Sequence, residues 1–296
     1  MKRVSIVIGL LLLFSSWAVA GEVSVVNPKA AFPEGPMWHQ GKLFYVEYGG
    51  HTLMTWDGTS NEEFWKMDGC GPSAVTTNAD GDFLITCYDS NQIAQVSRQG
   101  ETLALHEKGA EGQTFTGPND FARDRSGGVY FSASGPWASE PILGKIFYIS
   151  PKGGITEVAD DLHYANGLAL SCDGRILYCA ESEAGRVIRF DVGDQGSLTN
   201  RRLFVRVGVL DPKSGISAYP DGLKMDSKGN LYIGQFSSGR IVVVAKDKTL
   251  KRVIEVPSPS APNLAFGANE HSLYVMAVDE VDAPPYWGKV YQVDLD

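Results

Sequence analysis

The sequence is short of basic residues and histidine, and each shortage narrows what the protein can do. Its 26 Lys and Arg face 35 Asp and Glu, so the formal net charge is −9. Because nucleic acids are bound by basic surfaces, we do not expect a nucleic-acid partner. The 5 histidines are scattered without metal-ligand spacing, and no Gly-x-Ser-x-Gly elbow precedes a helix. A histidine-bound metal centre and a serine hydrolase are therefore not predicted.

Long apolar runs are missing after residue 20. Before that point, Lys2 and Arg3 precede an apolar run and the small residues Ala18-Val19-Ala20, a pattern typical of a secretory signal peptide over residues 1–20. The apolar run is shorter than the ~20 residues needed to span a bilayer, although an uncleaved membrane anchor is an alternative. We expect an exported protein, periplasmic or secreted, without membrane association after cleavage. Residues 21–296 carry no linker-like composition and are predicted to form one domain.

The chain does contain a repeated sequence pattern. Residues 164–181 read as a polar residue, a short apolar strand, a turn at Asp173-Gly174 and a second apolar strand, which is typical of a β-hairpin. This pattern occurs six times, at intervals of roughly 40 to 55 residues. Repeats of this length that contain several short strands are typical of propeller blades. We predict an all-β, six-bladed β-propeller. The alternating residues 22–26 would close the last blade as an N-terminal strand; a loose tail is the alternative.

Cysteine is also scarce, with 4 in the whole chain. In an exported protein these thiols are expected to be oxidised. Cys70 and Cys87 flank one predicted hairpin turn, and Cys172 and Cys179 flank another. The sequence does not decide between these local pairs, pairing between blades, and buried free thiols.

The polar residue ahead of each hairpin occupies one register in all six repeats. The innermost strands of a propeller surround a central channel, so residues at one register converge there. The aligned residues are Glu34, Ser73, Asn119, Asn166, Asp221 and Asn263. Asn or Asp before Gly is also a common turn former, but Glu is not. A set of oxygen donors without Cys or His favours one hard divalent cation in the channel, and such a cation supports hydrolysis.

Several of these segments resemble the gluconolactonase family, which includes regucalcin (senescence marker protein) and bacterial drug-responsive lactonases. The resemblance rests on residues 32–38, Gly117-Pro118-Asn119-Asp120, residues 165–171 with Asp173-Gly174, and residues 220–223. It implies a six-bladed propeller that hydrolyses lactones with one divalent metal. Glu34, Asn166 and Asp221 correspond to the metal ligands of the family, and Asn119 to a residue that contacts substrate or metal-bound water. Symmetry adds Ser73 and Asn263 to this last group.

The chain departs from the pattern of the family's sugar lactonases at one position. Those enzymes often carry Arg two residues before the substrate-contacting Asn, where this chain has Gly117. No clear match exists for a sugar-binding Glu further along, and Trp137 lies in that region. The pocket is therefore predicted to be less polar, so gluconolactone is not the expected substrate. Its candidate wall residues are Phe115, Trp137, Tyr164, Tyr219 and Phe236.

The expected reaction is opening of a small lactone or ester by water. Ca²⁺ is the first expectation for the cation, with Mn²⁺, Mg²⁺ or Zn²⁺ as alternatives, and Asp221 would act as the base. His163 could serve as the base instead, as in paraoxonase-like propellers. Two other interpretations remain: a non-catalytic propeller that binds a ligand or protein around a structural cation, and an enzyme of the strictosidine synthase-like type.

Overall fold

The computed structural model of the chain describes residues 21–137, 140–215 and 218–295. The predicted signal peptide lies outside these ranges. Over the described residues the fold is almost entirely β, with one short helix, α1 (Val207–Leu210), and three 3-10 turns at Asp194–Gly196, Pro212–Ser214 and Ala268–Glu270. None of the helical segments in this part of the chain has the length and apolarity to cross a bilayer.

The strands follow one another as short segments separated by turns. In chain order they are β1 (Val23–Ala31), β2 (Pro33–His39), β3 (Lys42–Glu47), β4 (Thr52–Trp56), β5 (Asn61–Lys66), β6 (Pro72–Thr77), β7 (Phe83–Cys87), β8 (Gln92–Val96), β9 (Thr102–His106), β10 (Pro118–Arg123), β11 (Val129–Ala133), β12 (Gly144–Ile149), β13 (Ile155–Leu162), β14 (Ala165–Leu170), β15 (Ile176–Glu181), β16 (Arg186–Val192), β17 (Leu198–Arg206), β18 (Pro220–Met225), β19 (Leu231–Gln235), β20 (Arg240–Val244), β21 (Leu250–Glu255), β22 (Asn263–Phe266), β23 (Ser272–Val278) and β24 (Trp287–Asp294).

These strands form antiparallel sheets arranged as in a propeller. Four sheets have four strands each, and a fifth has eight, in the order β5-β4-β3-β2-β6-β7-β8-β9. The eight-stranded sheet consists of two antiparallel runs joined by a parallel pair, Gly35 and Ala74. The strands β2, β6, β10, β14, β18 and β22 contact one another in succession, and β22 contacts β2. We call these six the inner strands. The predicted all-β, propeller-like class is confirmed.

The apolar core lies between neighbouring sheets. Val205 and Ala180 of one sheet, for example, share a buried cluster with Leu223 and Ile233 of the next. Similar clusters lie between the other adjacent sheets and between the two halves of the eight-stranded sheet. Burial of these faces stabilises the arrangement of the sheets by the hydrophobic effect, and it leaves the polar residues at the start of each inner strand free for other roles.

The N-terminal strand pairs with the C-terminal strand, as the sequence analysis predicted. β1 lies antiparallel to β24, with Val23 opposite Val293 and Ala31 opposite Trp287. The strand runs past residue 26, where the predicted strand ends, because two register shifts accommodate the residues that follow. The Asn27 side chain then donates a hydrogen bond to the Tyr45 hydroxyl, at 2.9 Å, which ties β1 to β3.

The pairs Asn166-Gly167 and Asp221-Gly222 lie inside inner strands rather than in turns. A Cβ atom on Gly167 would lie 2.7 Å from the Leu223 backbone nitrogen and would collide with the Asp221 carbonyl oxygen. Gly35 meets the next inner strand in the same way, at Ala74, whereas the space beside Gly222 is filled by the Asn263 side chain. Glycine is therefore required at these positions because neighbouring inner strands approach each other too closely for a side chain.

The cysteines behave differently in the two hairpins. Cys70 and Cys87 form a disulfide, with their Cα atoms 4.5 Å apart. The local pair Cys172–Cys179 considered from the sequence is wrong, because both thiols are free. Cys179 lies opposite Leu168 in the β14–β15 ladder and is buried, whereas Cys172 lies exposed in the turn beyond Leu170.

We expect Gly167→Ala to lower the free energy of unfolding by about 3 kcal/mol, because the added methyl group forces β14 and β18 apart. Gly154→Ala is the control: its Cβ would meet only Ser150 Oγ, at 3.4 Å, and its effect should stay within about 1 kcal/mol. Denaturant unfolding of both variants measures the difference. Equal free energies of unfolding in the two variants would contradict the prediction, because they would show that β14 and β18 can move apart without loss of stability.

Candidate active site

A cavity of about 430 Å³ opens where the inner strands begin. Polar residues form one part of its lining, and aromatic residues form most of the remainder. The lining residues are Phe32, Glu34, Tyr48, Ser73, Tyr88, Asn119, Trp137, Tyr164, Asn166, Asp221, Phe236, Val281 and Tyr286. Its volume lies within the range of small-molecule sites.

Five of the six aligned polar residues lie in this cavity. Glu34, Ser73, Asn119, Asn166 and Asp221 each occupy the second position of an inner strand. Asn263, at the first position of β22, lies behind Glu34 and donates a hydrogen bond to Glu34 Oε2 at 2.9 Å. The Gly35 amide donates to the same oxygen at 3.0 Å. Both bonds go to Oε2, and no residue in the described part of the chain hydrogen-bonds to Oε1, which leaves that oxygen for a ligand.

The orientation of the Asn166 amide follows from its hydrogen bonds. The Ser182 hydroxyl donates its single proton to the Pro220 carbonyl oxygen at 2.7 Å and therefore accepts from Asn166 Nδ2, at 3.2 Å. Asn166 Oδ1 is then buried without a hydrogen-bond partner among the described residues. An unsatisfied buried carbonyl oxygen beside two carboxylates is a ready ligand for a cation.

A second serine holds Asn119 in the same way. Asn119 Nδ2 donates to Ser134 Oγ at 3.0 Å, and Ser134 donates to the Ala165 carbonyl oxygen at 2.6 Å. Ser73 lies in the cavity, but its hydroxyl bonds to the Pro118 carbonyl oxygen at 2.9 Å. Each of these hydroxyl groups therefore connects one inner-strand region to the backbone of the next.

The two cavity carboxyls have strongly perturbed acidity. Burial, with a smaller contribution from nearby Asp120, raises the pKa of Glu34 from 4.5 to about 8. Burial and the charges of Glu34 and Asp120 also raise the pKa of Asp221 well above its usual value. Two desolvated carboxyls that repel each other are typical of a functional site and of a site that gains from a bound cation.

Asp120 is a residue that the sequence analysis quoted but assigned no role. It is buried, its Oδ2 accepts a hydrogen bond from the Leu168 amide at 3.0 Å, and Lys224 Nζ lies 3.8 Å from that oxygen. Asp120 thus links β10 to β14 and places a negative charge near Glu34 and Asp221. Its position directly after Asn119 was the available signal.

The aromatic lining was predicted in part. Trp137, Tyr164 and Phe236 line the cavity, and Tyr219 contacts the Trp137 ring at 5.3 Å between centroids. The expectation for Phe115 is wrong, because this ring is buried in the core against Phe131 and Phe147. Four further lining aromatics were missed: Phe32, Tyr48, Tyr88 and Tyr286. Two of them, Tyr48 and Tyr88, could have been found from the sequence. Each directly follows the second strand of its repeat, which is also the position of Phe236.

His163, the alternative base, is not among the lining residues. Its backbone amide donates to Glu181 Oε1 at 3.0 Å, and it precedes Tyr164, which does reach the cavity. The geometry therefore favours Asp221 over His163 for contact with a ligand.

The donor set fits a hard cation better than a thiophilic metal. Within the described residues no group of three or more His, Cys, Asp or Glu side chains comes together as a metal site. The cavity instead offers the Glu34 and Asp221 carboxylates and the unpartnered Asn166 carbonyl oxygen. Oxygen donors of this kind are those that Ca²⁺, Mg²⁺ and Mn²⁺ prefer.

The sequence and the fold both have relatives. Residues 32–279 match the family described as SMP-30/Gluconolactonase/LRE-like region. The chain belongs to this family. Pentonolactonase XacC from Haloferax volcanii is 26% identical over 85% of the chain and 83% of its own length, and regucalcin from Danio rerio is 26% identical over 85% and 84%. A gluconolactonase structure from Xanthomonas campestris superposes with a TM-score of 0.77 at 22% identity, covering 93% of this chain and 90% of that one.

Membership of the SMP-30/gluconolactonase family confirms the resemblance drawn from the inner-strand motifs. The matched residues 32–279 include every aligned polar residue from Glu34 to Asn263. The lactonases among its relatives support a lactone-hydrolysing enzyme that acts on a small molecule.

The raised pKa of Glu34 predicts a dependence of stability on pH in chelator-treated protein. Between its ordinary value of 4.5 and its folded value of about 8, the folded state keeps a proton that the unfolded state has lost. The free energy of unfolding should therefore fall as pH rises from about 5 to about 8, by on the order of 1 kcal/mol or more. Glu34→Gln should flatten this slope in denaturant titrations, and an unchanged slope would contradict the assignment.

Proposed function

We propose that this protein is an exported, divalent-cation-dependent hydrolase that opens a small lactone at the cavity of a six-bladed propeller. The unpartnered Asn166 carbonyl oxygen beside two buried carboxyls is the observation that carries the proposal. It places three acceptor groups in one cavity where the inner strands converge.

The blade number and the domain limits are part of this proposal. The succession of inner-strand contacts from β2 to β22 and back to β2 supports six blades, with the eight-stranded sheet counted as two. The pairing of β1 with β24 supports a single domain over residues 21–296. The leader-like residues 1–20 support export, and the Cys70–Cys87 disulfide is in keeping with an oxidising compartment.

Glu34, Asn166 and Asp221 are the residues that would hold the cation. Ca²⁺ suits their oxygen atoms, and Mn²⁺, Mg²⁺ or Zn²⁺ are the alternatives to test. A divalent cation in such a site polarises a carbonyl group and lowers the pKa of a water molecule. The Ser182 hydroxyl supports the site by keeping the Asn166 carbonyl oxygen turned toward it.

The residues of the chain provide the proton transfers. The Asp221 carboxylate takes a proton from the attacking water, whose oxygen forms a new bond to the lactone carbonyl carbon. When the bond between that carbon and the ring oxygen breaks, Asp221 returns the proton to the leaving oxygen. Asn119, fixed by Ser134, lies in the same cavity and would orient the water or the substrate.

Cation binding is expected to depend on the orientation of Asn166 as well as on its presence. After chelator treatment, calorimetric Ca²⁺ titration should show Glu34→Gln and Asn166→Ala weakened by tenfold or more, and Ser182→Ala by about tenfold. Ser134→Ala, which loses the equivalent bond to Asn119, is the matched control. Equal affinity in all four variants and the wild type would rule out this ligand set.

Turnover is expected to require both the cation and Asp221. Chelator should abolish acid release from a panel of aliphatic, aromatic and sugar lactones, and one of the four cations should restore it. Asp221→Asn should reduce kcat at least about 10²-fold, whereas Asp226→Asn, a buried aspartate in a turn away from the cavity, should retain it. If none of the lactones is hydrolysed in a metal-dependent way, the lactonase proposal is wrong and the alternative of a non-catalytic binding propeller is favoured.

A further inference from the structure

The mouth of the cavity is surrounded by a closed circuit of aromatic side chains. We call this circuit the aromatic rim; its members are Phe32, Tyr48, Tyr88, Tyr164, Trp137 and Phe236. Neighbouring ring centroids lie 5.4 Å apart for Phe32–Tyr48, 6.5 Å for Tyr48–Tyr88, 4.6 Å for Tyr164–Trp137, 6.3 Å for Trp137–Phe236 and 6.1 Å for Phe236–Phe32. The remaining link is a hydrogen bond from the Tyr164 hydroxyl to the Tyr88 hydroxyl, at 3.0 Å.

The antiparallel sheets explain why these residues meet. In an antiparallel pair, the start of the inner strand lies beside the end of the next strand, as the pairing of Pro33 with Glu47 shows. The residue before the inner strand and the residue after the next strand therefore lie at the same end of the sheet. Phe32 and Tyr164 come before inner strands, whereas Tyr48, Tyr88 and Phe236 come after second strands. Aromatic residues at these positions in different sheets are therefore brought to one opening.

The rim offers little to a polyhydroxylated ligand. No Lys, Arg or His occurs among the described residues that line the cavity. The hydroxyl protons of the rim tyrosines are already used: besides Tyr164, Tyr88 donates to the Gly135 carbonyl oxygen at 3.1 Å, and Tyr48 donates to Asp89 Oδ1 at 2.9 Å. A sugar hydroxyl that is buried against these rings therefore finds few free donors, because the polar partners lie deeper in the cavity, at residues such as Glu34 and Asp221.

Gly117 makes room for Tyr88 in the rim. Gly117 has φ of +60°, and a Cβ atom on it would lie 2.7 Å from Tyr88 Cε2 and 3.0 Å from Tyr88 Cζ. The Tyr88 ring therefore occupies the space into which a side chain at residue 117 would extend. Since Gly117 lies two residues before Asn119 in the cavity, the absence of a side chain there decides whether an aromatic ring can close this side of the opening.

Trp137 provides a surface for a flat ligand. Its side chain is 49% exposed, and its contacts with Tyr164 and Tyr219 are edge-to-face, with interplanar angles of 78° and 61°. Aromatic rings bind other flat rings by stacking or edge contact, with a gain beyond simple burial.

We propose that the rim selects lactones that carry a fused or attached flat apolar ring, and that Gly117 and Tyr88 are the residue pair that sets this selectivity. The aromatic preference rests on the rim geometry. Only the ester chemistry of the ligand rests on the function proposed above.

The test compares two δ-lactones whose leaving oxygens are both alkoxides, isochroman-3-one with a fused benzene ring and δ-valerolactone without one. The wild type should show a kcat/KM ratio in favour of the fused lactone on the order of tenfold or more, with glucono-δ-lactone poorer than both. Tyr88→Ala should lower this ratio about tenfold, and Tyr88→Phe should restore it. A wild-type ratio near one, a ratio unchanged in Tyr88→Ala, or gluconolactone as the best substrate would overturn the proposal.

Residue 117 has a matched control. Gly117→Ala should displace Tyr88 and lower the ratio, whereas Gly174→Ala, also at positive φ but with no atom within 4 Å of the added Cβ, should leave the ratio at the wild-type value. An equal ratio in the two variants would remove Gly117 from the pair.

Binding separates this inference from hydrolysis itself. The non-hydrolysable lactams 1,4-dihydro-3(2H)-isoquinolinone and δ-valerolactam correspond to the two lactones and can be titrated calorimetrically. If no lactone is hydrolysed but the fused lactam binds better in the wild type than in Tyr88→Ala, hydrolysis fails and the rim proposal stands. If lactones are hydrolysed and both lactams bind equally well, the rim proposal fails; if neither lactam binds and no lactone is hydrolysed, both fail.

Discussion

The structure depends on the close approach of neighbouring inner strands. At Gly167 the backbone of β14 comes so near to that of β18 that no side chain fits, and Gly35 marks the same approach between β2 and β6. This approach brings the residue just before each glycine to the cavity beside its counterparts. It also brings serine hydroxyls within hydrogen-bonding distance of the next strand, as at Ser182 and Pro220. The distance between neighbouring inner strands therefore determines the packing, the orientation of the side-chain amides and the position of the carboxyl groups.

The sequence predicted those parts of the site that the repeat carries. Glu34, Asn166 and Asp221 could be found because each stands at one register of a pattern that also defines the strands. The reason for the following glycine could not be found, because a strand-to-strand collision depends on three-dimensional spacing. An Asn-Gly pair looks the same in sequence whether it forms a turn or permits two strands to meet.

The remaining features depend on positions outside that register. Tyr48 and Tyr88 follow second strands, and their meeting with Tyr164 and Trp137 depends on how different sheets face one opening. Phe115 shows the opposite error, since an aromatic residue near a motif was buried among Phe131 and Phe147 instead. The cysteines show the same limit: both pairs flank a hairpin turn, but only Cys70 and Cys87 have side chains close enough to bond.

The pairing of β1 with β24 has a consequence for biosynthesis. Val23 is made early and its partner Val293 at the end of translation, so the first strand to be synthesised is among the last to be paired. Contacts so distant in sequence form late because the ends of a long loop must first be brought together. Until then, β24 lacks its partner at the outer edge of the last sheet, and the nascent chain cannot reach its final state.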